Sequence, residues 1–171
     1  DPGEELVRIC YEQGVEVTSL PGAAACITAL TLAGLPTRRF SFEAFLPKEK
    51  KERAAVLEEL KNDTRTLIVY EAPHHLLGTL KELQNALGDR RLTVCRELTK
   101  KFETAFQTTF SEAIRYYEEQ GVRGECVLVI EGRSREELVQ EAQQSWEAIS
   151  AEEHMEHYLS TGMDRKSAMK Q

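Results

Sequence analysis

The chain has 171 residues, 41% of them hydrophobic and 30% charged, the balance of an ordinary globular protein; at about 150 residues per domain this length holds one domain or slightly more. Its longest low-polarity stretch, residues 23–35, falls well short of the roughly 20 apolar residues that span a bilayer. The acidic opening Asp1-Pro2-Gly3-Glu4-Glu5 is the reverse of a secretory leader. The sequence therefore predicts a cytoplasmic chain that does not cross a membrane, and the absent initiator methionine predicts a piece of a longer protein.

Asp1 as cap, Pro2 at the first helical position and Glu4 three residues past the cap predict a helix with Leu6, Val7 and Cys10 inward, stopped by Gly14. Residues 15–19 alternate as a strand does, and Leu20-Pro21-Gly22 reads as a tight turn. A slim helix over 23–33 follows, closed by Gly34 and Pro36. Beyond it come an apolar stretch 40–46, a charged helix 48–61 with Ala54, Leu57 and Leu60 inward, a strand 66–70, a helix 73–87 stopped by Gly88, and a strand 92–97. A further extended segment, 103–110, follows too soon for a helical crossover, so these two strands form a hairpin and the sheet is mixed. A helix 111–120, a buried strand 126–130 and an acidic helical tail complete the pattern. The fold class is α/β, a mixed sheet flanked by helices. The expected division is 1–20, the end of a first domain; 21–35, a linking helix; 36–132, an α/β domain; and 133–171, the tail.

Cys10, Cys26, Cys95 and Cys126 are far apart and read as small core residues rather than disulfide or zinc ligands. The net charge of −7 argues against a nucleic-acid partner, since phosphate is bound by Lys and Arg. Between residues 133 and 160, however, seven acids face two arginines, leaving the remainder almost neutral. Within that remainder Arg38, Arg39, Lys48, Lys50, Lys51 and Arg53 form one basic cluster, and Arg90, Arg91, Arg96, Lys100 and Lys101 a second. Each reads either as a solvated face or as a surface for phosphate.

No GxxxxGK[ST] loop, GxGxxG, GxSxG or CxxC occurs. His154 and His157 have helical i, i+3 spacing without a third ligand, and His74 and His75 diverge by about 100° on a helix, so no metal site is expected. The remaining candidates are polar junctions at strand ends, where open α/β sheets bind ligands. Pro21-Gly22-Ala23-Ala24 offers bare backbone N–H groups, or simply close helix packing. Glu71 could meet a ligand or cap the next helix. Arg96-Glu97-Leu98-Thr99-Lys100 gathers charges and a hydroxyl, with hairpin ion pairs as the plain reading, and Gly124-Glu125 precedes the last strand.

Taken in order, DPG at 1–3, LPGAAACITAL at 20–30, LAGLP at 32–36, FEAFLP at 42–47, TLIVYEAPHHL at 66–76, RELTKKFE at 96–103 and GECVLVIEG at 124–132 resemble the bacterial ribosomal RNA small subunit methyltransferase I family of the tetrapyrrole methylase superfamily. The resemblance implies S-adenosylmethionine-dependent methylation of a cytidine ribose 2'-hydroxyl in 16S RNA on the 30S subunit, by a homodimeric two-domain enzyme of which this chain is the end of the first domain and most of the second. It implies cofactor contacts around Gly22, Ala23, Ala24, Leu98 and Gly124. For the chemistry, Glu97 is the candidate base and Lys100 the candidate cation for a developing alkoxide; Lys48, Lys50, Lys51, Arg96 and Lys100 are the candidate RNA contacts. The chain departs from the family where an arginine commonly follows YEAPH, since His75 stands there and would grip phosphate only weakly at neutral pH. Within this reading a precorrin or other small-molecule methyltransferase is the alternative; outside it, a non-catalytic RNA- or protein-binding domain.

Overall fold

The structure is a computed structural model that describes residues 3–147 and position 160. The expected cap at Asp1 and Pro2, the histidine pair 154 and 157, and most of the acidic tail beyond residue 147 lie outside the described residues. In chain order the elements are α1 (Gly3–Glu12), α2 (Ala25–Leu32), β1 (Phe40–Phe45), α3 (Lys50–Leu60), β2 (Thr66–Glu71), α4 (Leu76–Leu87), β3 (Arg91–Arg96), β4 (Thr104–Thr109), α5 (Phe110–Gln120), β5 (Cys126–Ile130) and α6 (Arg135–Glu147).

The five strands form one mixed sheet in the order β1-β2-β5-β3-β4. β1 and β2 are parallel, whereas β5 runs antiparallel to both β2 and β3, and β3 and β4 form the expected antiparallel hairpin. The three central strands are covered on both faces, which is why Leu67-Ile68-Val69 and all of 126–130 read as unbroken apolar runs. On one face Leu67, Val69, Leu92, Val94, Leu128 and Ile130 pack under α3, α4 and α5, joined by Leu76, Leu80, Leu83 and Phe110. On the other, Ile68, Cys95, Val127 and Val129 meet Ala29, Leu30, Ala33 and Leu35 of the α2 segment. Small side chains let α2 lie close: Thr93 Oγ1 donates to the Ala33 carbonyl at 2.9 Å, and Gln107 Nε2 to the same oxygen at 3.3 Å.

Several expectations change. Residues 15–19 form no strand, because no described strand lies beside them to complete a hydrogen-bonded ladder. Leu6, Val7 and Cys10 are not buried, since nothing described packs beneath α1, and Leu6 stays 64% exposed. On α3 the inward stripe is Arg53, Val56, Leu57 and Leu60, whereas Ala54 faces solvent. α4 starts three residues later than the pattern suggests, Pro73, His74 and His75 forming a turn first. Cys95 and Cys126 are buried and unbridged, while Cys10 and Cys26 are only partly covered. No helix among the described residues is long and apolar enough to cross a membrane, and no described cluster of His, Cys, Asp and Glu could hold a metal.

Candidate functional site

The register sets the location of the site. Because β1, β2 and β3 share one direction, their C-terminal ends meet at a single edge, together with the starts of β4 and β5. α2 runs back over this sheet from Ala33 beside Thr93 to Ala29 beside Cys95, so its first turn overhangs the same edge. Cys26 there meets Tyr70 at the end of β2, and Leu98 packs against the same apolar cluster. Gly22, Ala23 and Ala24 lead into this turn. Ala24 is extended and supplies no side-chain cap, so the first α2 amides have no capping oxygen. A Cβ on Gly22 would meet nothing within 4 Å, so the space above the helix start is open.

Glu97, Lys100 and Gly124 are brought into direct contact. Glu97 adopts φ of +49° and Thr99 of +64°, backbone shapes costing about 1–3 kcal/mol each that persist only where neighbours enforce them. The enforcement is visible. Glu97 N–H donates to the Glu125 carbonyl at 3.2 Å, and its Oε1 accepts from Glu125 N–H at 3.0 Å. Thr99 N–H is taken by the Glu103 carboxylate at 2.6 Å. Gly124, at φ of +78°, lies against the Glu97 side chain, where a Cβ would stand 2.6 Å from Glu97 Cδ. Lys100 Nζ bridges Glu125 Oε2 at 3.0 Å and Glu97 Oε1 at 3.4 Å. The Glu125 amide, and then Lys100, hold the Glu97 carboxyl below its usual range. The two carboxylates, Glu125 foremost, raise the Lys100 ammonium, which stays protonated at neutral pH.

Glu71 is buried and turns away from solvent. Its Oε1 accepts from Ala72 N–H at 2.8 Å, its Oε2 from Thr79 Oγ1 at 2.5 Å, and Thr79 in turn accepts from Arg53 at 2.8 Å. Of the two readings left open by the sequence, the contacts favour support of the loop into α4. The exposed rings of His74 and His75 lie 4.1 Å apart on that loop.

The basic clusters disperse. β1 separates Arg38 and Arg39 from Lys48, Lys50 and Lys51, and β3 separates Arg90 and Arg91 from Arg96, Lys100 and Lys101, each strand spanning about 20 Å. Arg90 is spent on the carbonyls of Leu87, Lys61 and Glu131, and Arg91 pairs with Glu131. These border an open cavity of about 680 Å³ at the opposite edge of the sheet. Arg96 donates to the Arg123 carbonyl at 2.8 Å. The ammonium groups of Lys48, Lys50 and Lys51 form no ion pair among the described residues. Sequence reasoning missed Glu125 as the partner of both Glu97 and Lys100, and Thr79 as the partner of Glu71. The first carried a signal in Gly124-Glu125 ahead of the strand; the second carried none.

The sheet is thus of mixed direction, with a helix start, a glycine junction and a charged loop gathered at one edge. The family described as Tetrapyrrole (Corrin/Porphyrin) Methylases matches residues 1–114, and the chain belongs to it. Ribosomal RNA small subunit methyltransferase I of Halalkalibacterium halodurans is 43% identical over 171 residues, covering 100% of this chain and 58% of the relative. The protein of the same name from Bacillus subtilis is 46% identical over 170 residues, with 99% and 58% covered. The chain thus spans somewhat more than half the length of these relatives. A uroporphyrin-III C-methyltransferase from Thermus thermophilus, solved with S-adenosyl homocysteine, superposes at a TM-score of 0.51 with 21% identity, covering 75% of this chain and 58% of that one.

Proposed function

We propose that this chain serves S-adenosylmethionine-dependent methylation of a cytidine ribose 2'-hydroxyl in 16S ribosomal RNA, acting in the cytoplasm on the 30S subunit as a homodimer, with its α/β domain over residues 36–132. The whole-chain similarity to ribosomal RNA methyltransferases carries the proposal. The sheet edge supports it, because LPGAAAC, YEAPH, RELTK and the start of GECVLVIEG come together there.

S-adenosylmethionine, when bound, supplies an electrophilic methyl group. The open backbone around Gly22, Ala23 and Ala24, with its uncapped α2 amides, fits a ligand carrying a carboxylate and ring acceptors. Leu98 contributes an apolar wall beside it, and Gly124 fixes the loop opposite. Lys100, charged at neutral pH, stabilises negative charge as it develops on the ribose oxygen. Glu97 is ionised and within reach of Lys100, but its amide and ammonium donors make it a weak base; its main task in this reading is to hold Lys100 in place. Lys48, Lys50 and Lys51 contact phosphate, with Arg96 and Lys100 nearer the reacting sugar.

The test supplies the full-length protein with 30S subunits and methyl-tritiated S-adenosylmethionine, followed by nucleoside mass spectrometry of the 16S RNA. The expected product is 2'-O-methylcytidine. Label found in no ribosomal RNA nucleoside overturns the proposal. In single turnover, Lys100→Ala lowers the rate far more than it weakens donor binding; an unchanged rate with weakened RNA binding reassigns Lys100 to positioning.

A further inference from the structure

The α2 side of the sheet is not closed over β1. Phe42 pairs with Ile68 and Phe45 with Tyr70, although two residues lie between Phe42 and Phe45 and only one between their partners. The extra residue is a β-bulge between Phe42 and Ala44, and Ala44 sits at φ of +52°. Without it, strand alternation would send Phe42 and Phe45 to opposite faces; with it, Phe40, Phe42 and Phe45 share the face of Ile68 and Tyr70. Bulges that re-aim a side chain beside a site are features the fold sustains rather than defects. The rings remain open, Phe42 at 47% and Phe45 at 62% exposure. Both form T-shaped pairs with Tyr70, ring centroids 5.0 and 5.7 Å apart. Tyr70 itself reaches Cys26 in the first turn of α2, so the aromatic strip runs directly into the edge described above.

We infer that the bulged face of β1 is a stacking platform for unpaired RNA bases. Three observations select this occupant. The exposed groups are planar rings, which stack on any base. Lys48, Lys50 and Lys51, which form no ion pair among the described residues, lie at one end of the strip and Arg38 and Arg39 at the other, so a strand laid along the rings meets cations at both ends, whereas lysines are depleted in protein interfaces. The nearby acid is turned away: Glu43 accepts from Ser41 on the opposite face. The inference rests on the RNA-directed reading above and adds to it the strand conformation of the substrate.

The experiment compares the full-length protein with its Phe42→Leu/Phe45→Leu double variant, which keeps apolar bulk at exposed positions, and with Phe42→Tyr/Phe45→Tyr, which keeps the rings. A short fluorescein-labelled oligocytidylate is titrated by anisotropy at several salt concentrations, beside a duplex RNA control. Stacking lost at two rings lowers single-strand affinity about tenfold or more, leaves duplex binding and the salt slope unchanged, and is restored by the tyrosines. Lys48, Lys50 and Lys51 changed together to Gln instead flatten the slope. Unchanged single-strand affinity in the leucine variant overturns the platform. So does an equal loss of S-adenosylmethionine affinity, which assigns the rings to the donor, or conversion of a dimer to a monomer on sedimentation, which assigns them to a second copy. Methylation of 16S RNA by a protein whose oligonucleotide binding ignores these substitutions rejects the platform alone; a ring-dependent affinity in a protein that methylates no RNA rejects the methylation reading alone.

Discussion

The two faces of this sheet come from the same alternating strands, yet they are finished differently. Under α3, α4 and α5 the cover is complete: Leu67, Val69, Leu80, Leu83 and Leu128 are all at 0% exposure. On the other face a single eight-residue helix, α2, covers the central strands, and beyond it phenylalanine rings stand in solvent. A leucine and a phenylalanine can each contribute about 1.5–3 kcal/mol when fully buried. The first face collects that stabilisation across its width, whereas the second collects it only where α2 lies, at Leu30, Ile68, Val127 and Val129. The open face and the adjoining edge hold instead the strained loop at Glu97 and Thr99, the bulge at Ala44 and the uncapped start of α2. Burial is thus concentrated on one side of the sheet, and exposed rings and strained backbone on the other.

Truncating each side gives the widest separation. Leu80→Ala, in the closed face, is expected to cost about 2–5 kcal/mol through the cavity it leaves, whereas Phe45→Ala on the open face should cost less than about 1 kcal/mol. Urea unfolding of both variants measures the difference, and equal losses would abolish the distinction. Thr79→Val removes the hydroxyl donor from buried Glu71 and should cost about 1–3 kcal/mol, with Thr79→Ser recovering most of it.

At the charged edge, Gly124→Ala drives a methyl into Glu97 at a positive φ, with an expected cost of about 1–3 kcal/mol. Combining it with Glu97→Ala relieves the overlap but not the backbone strain. A double-mutant cycle should therefore show coupling of about 0.5 kcal/mol or more; strict additivity would mean the two residues do not touch.

The smallest effects are ionic. Burial pushes the Cys95 and Cys126 thiols up to about 11, above the unfolded value of about 8.5. The folded state therefore favours the protonated thiol, and stability falls as pH rises through about 8.5 and the unfolded chain ionises first. At pH 8 a disulfide reagent should modify Cys10 and Cys26 ahead of Cys95 and Cys126, and simultaneous reaction of all four would show an open core. Glu97 has the opposite sign. Its lowered pKa contributes stability above the unfolded carboxylate value, lost as pH falls through the folded one, and Glu97→Gln should flatten that acid limb.

Local chemistry made much of this legible. Gly34 and Gly88 end α2 and α4 as expected, the run 126–130 is a central strand, and the short step from β3 to β4 is a hairpin. These features depend on neighbours within a few residues or on the repeat of a helix or strand. The expectations that changed depend on distant partners. Residues 15–19 alternate correctly but have no neighbouring strand. Arg90 and Arg96 fall in one basic cluster of the sequence yet stand at opposite ends of β3.

The site divides in the same way. Composition and order placed Glu97, Lys100 and Gly124 at strand ends and Gly22 ahead of a helix start, because glycine junctions and charged loops have a local signature. That Glu97 is clamped by the Glu125 amide, that Gly124 is small to admit its carboxylate, and that Glu71 answers Thr79 rather than a ligand are contacts between segments 8 to 28 residues apart. The bulge at Ala44 belongs with them, since a strand's face is defined only against the register of its neighbour. The sequence by itself determined which segments could be helix or strand and which residue types stood at their ends. Only the packed sheet decided which ends meet, which charges are already paired and which face is left open, because pairing register and burial are properties of two segments and are written in neither alone.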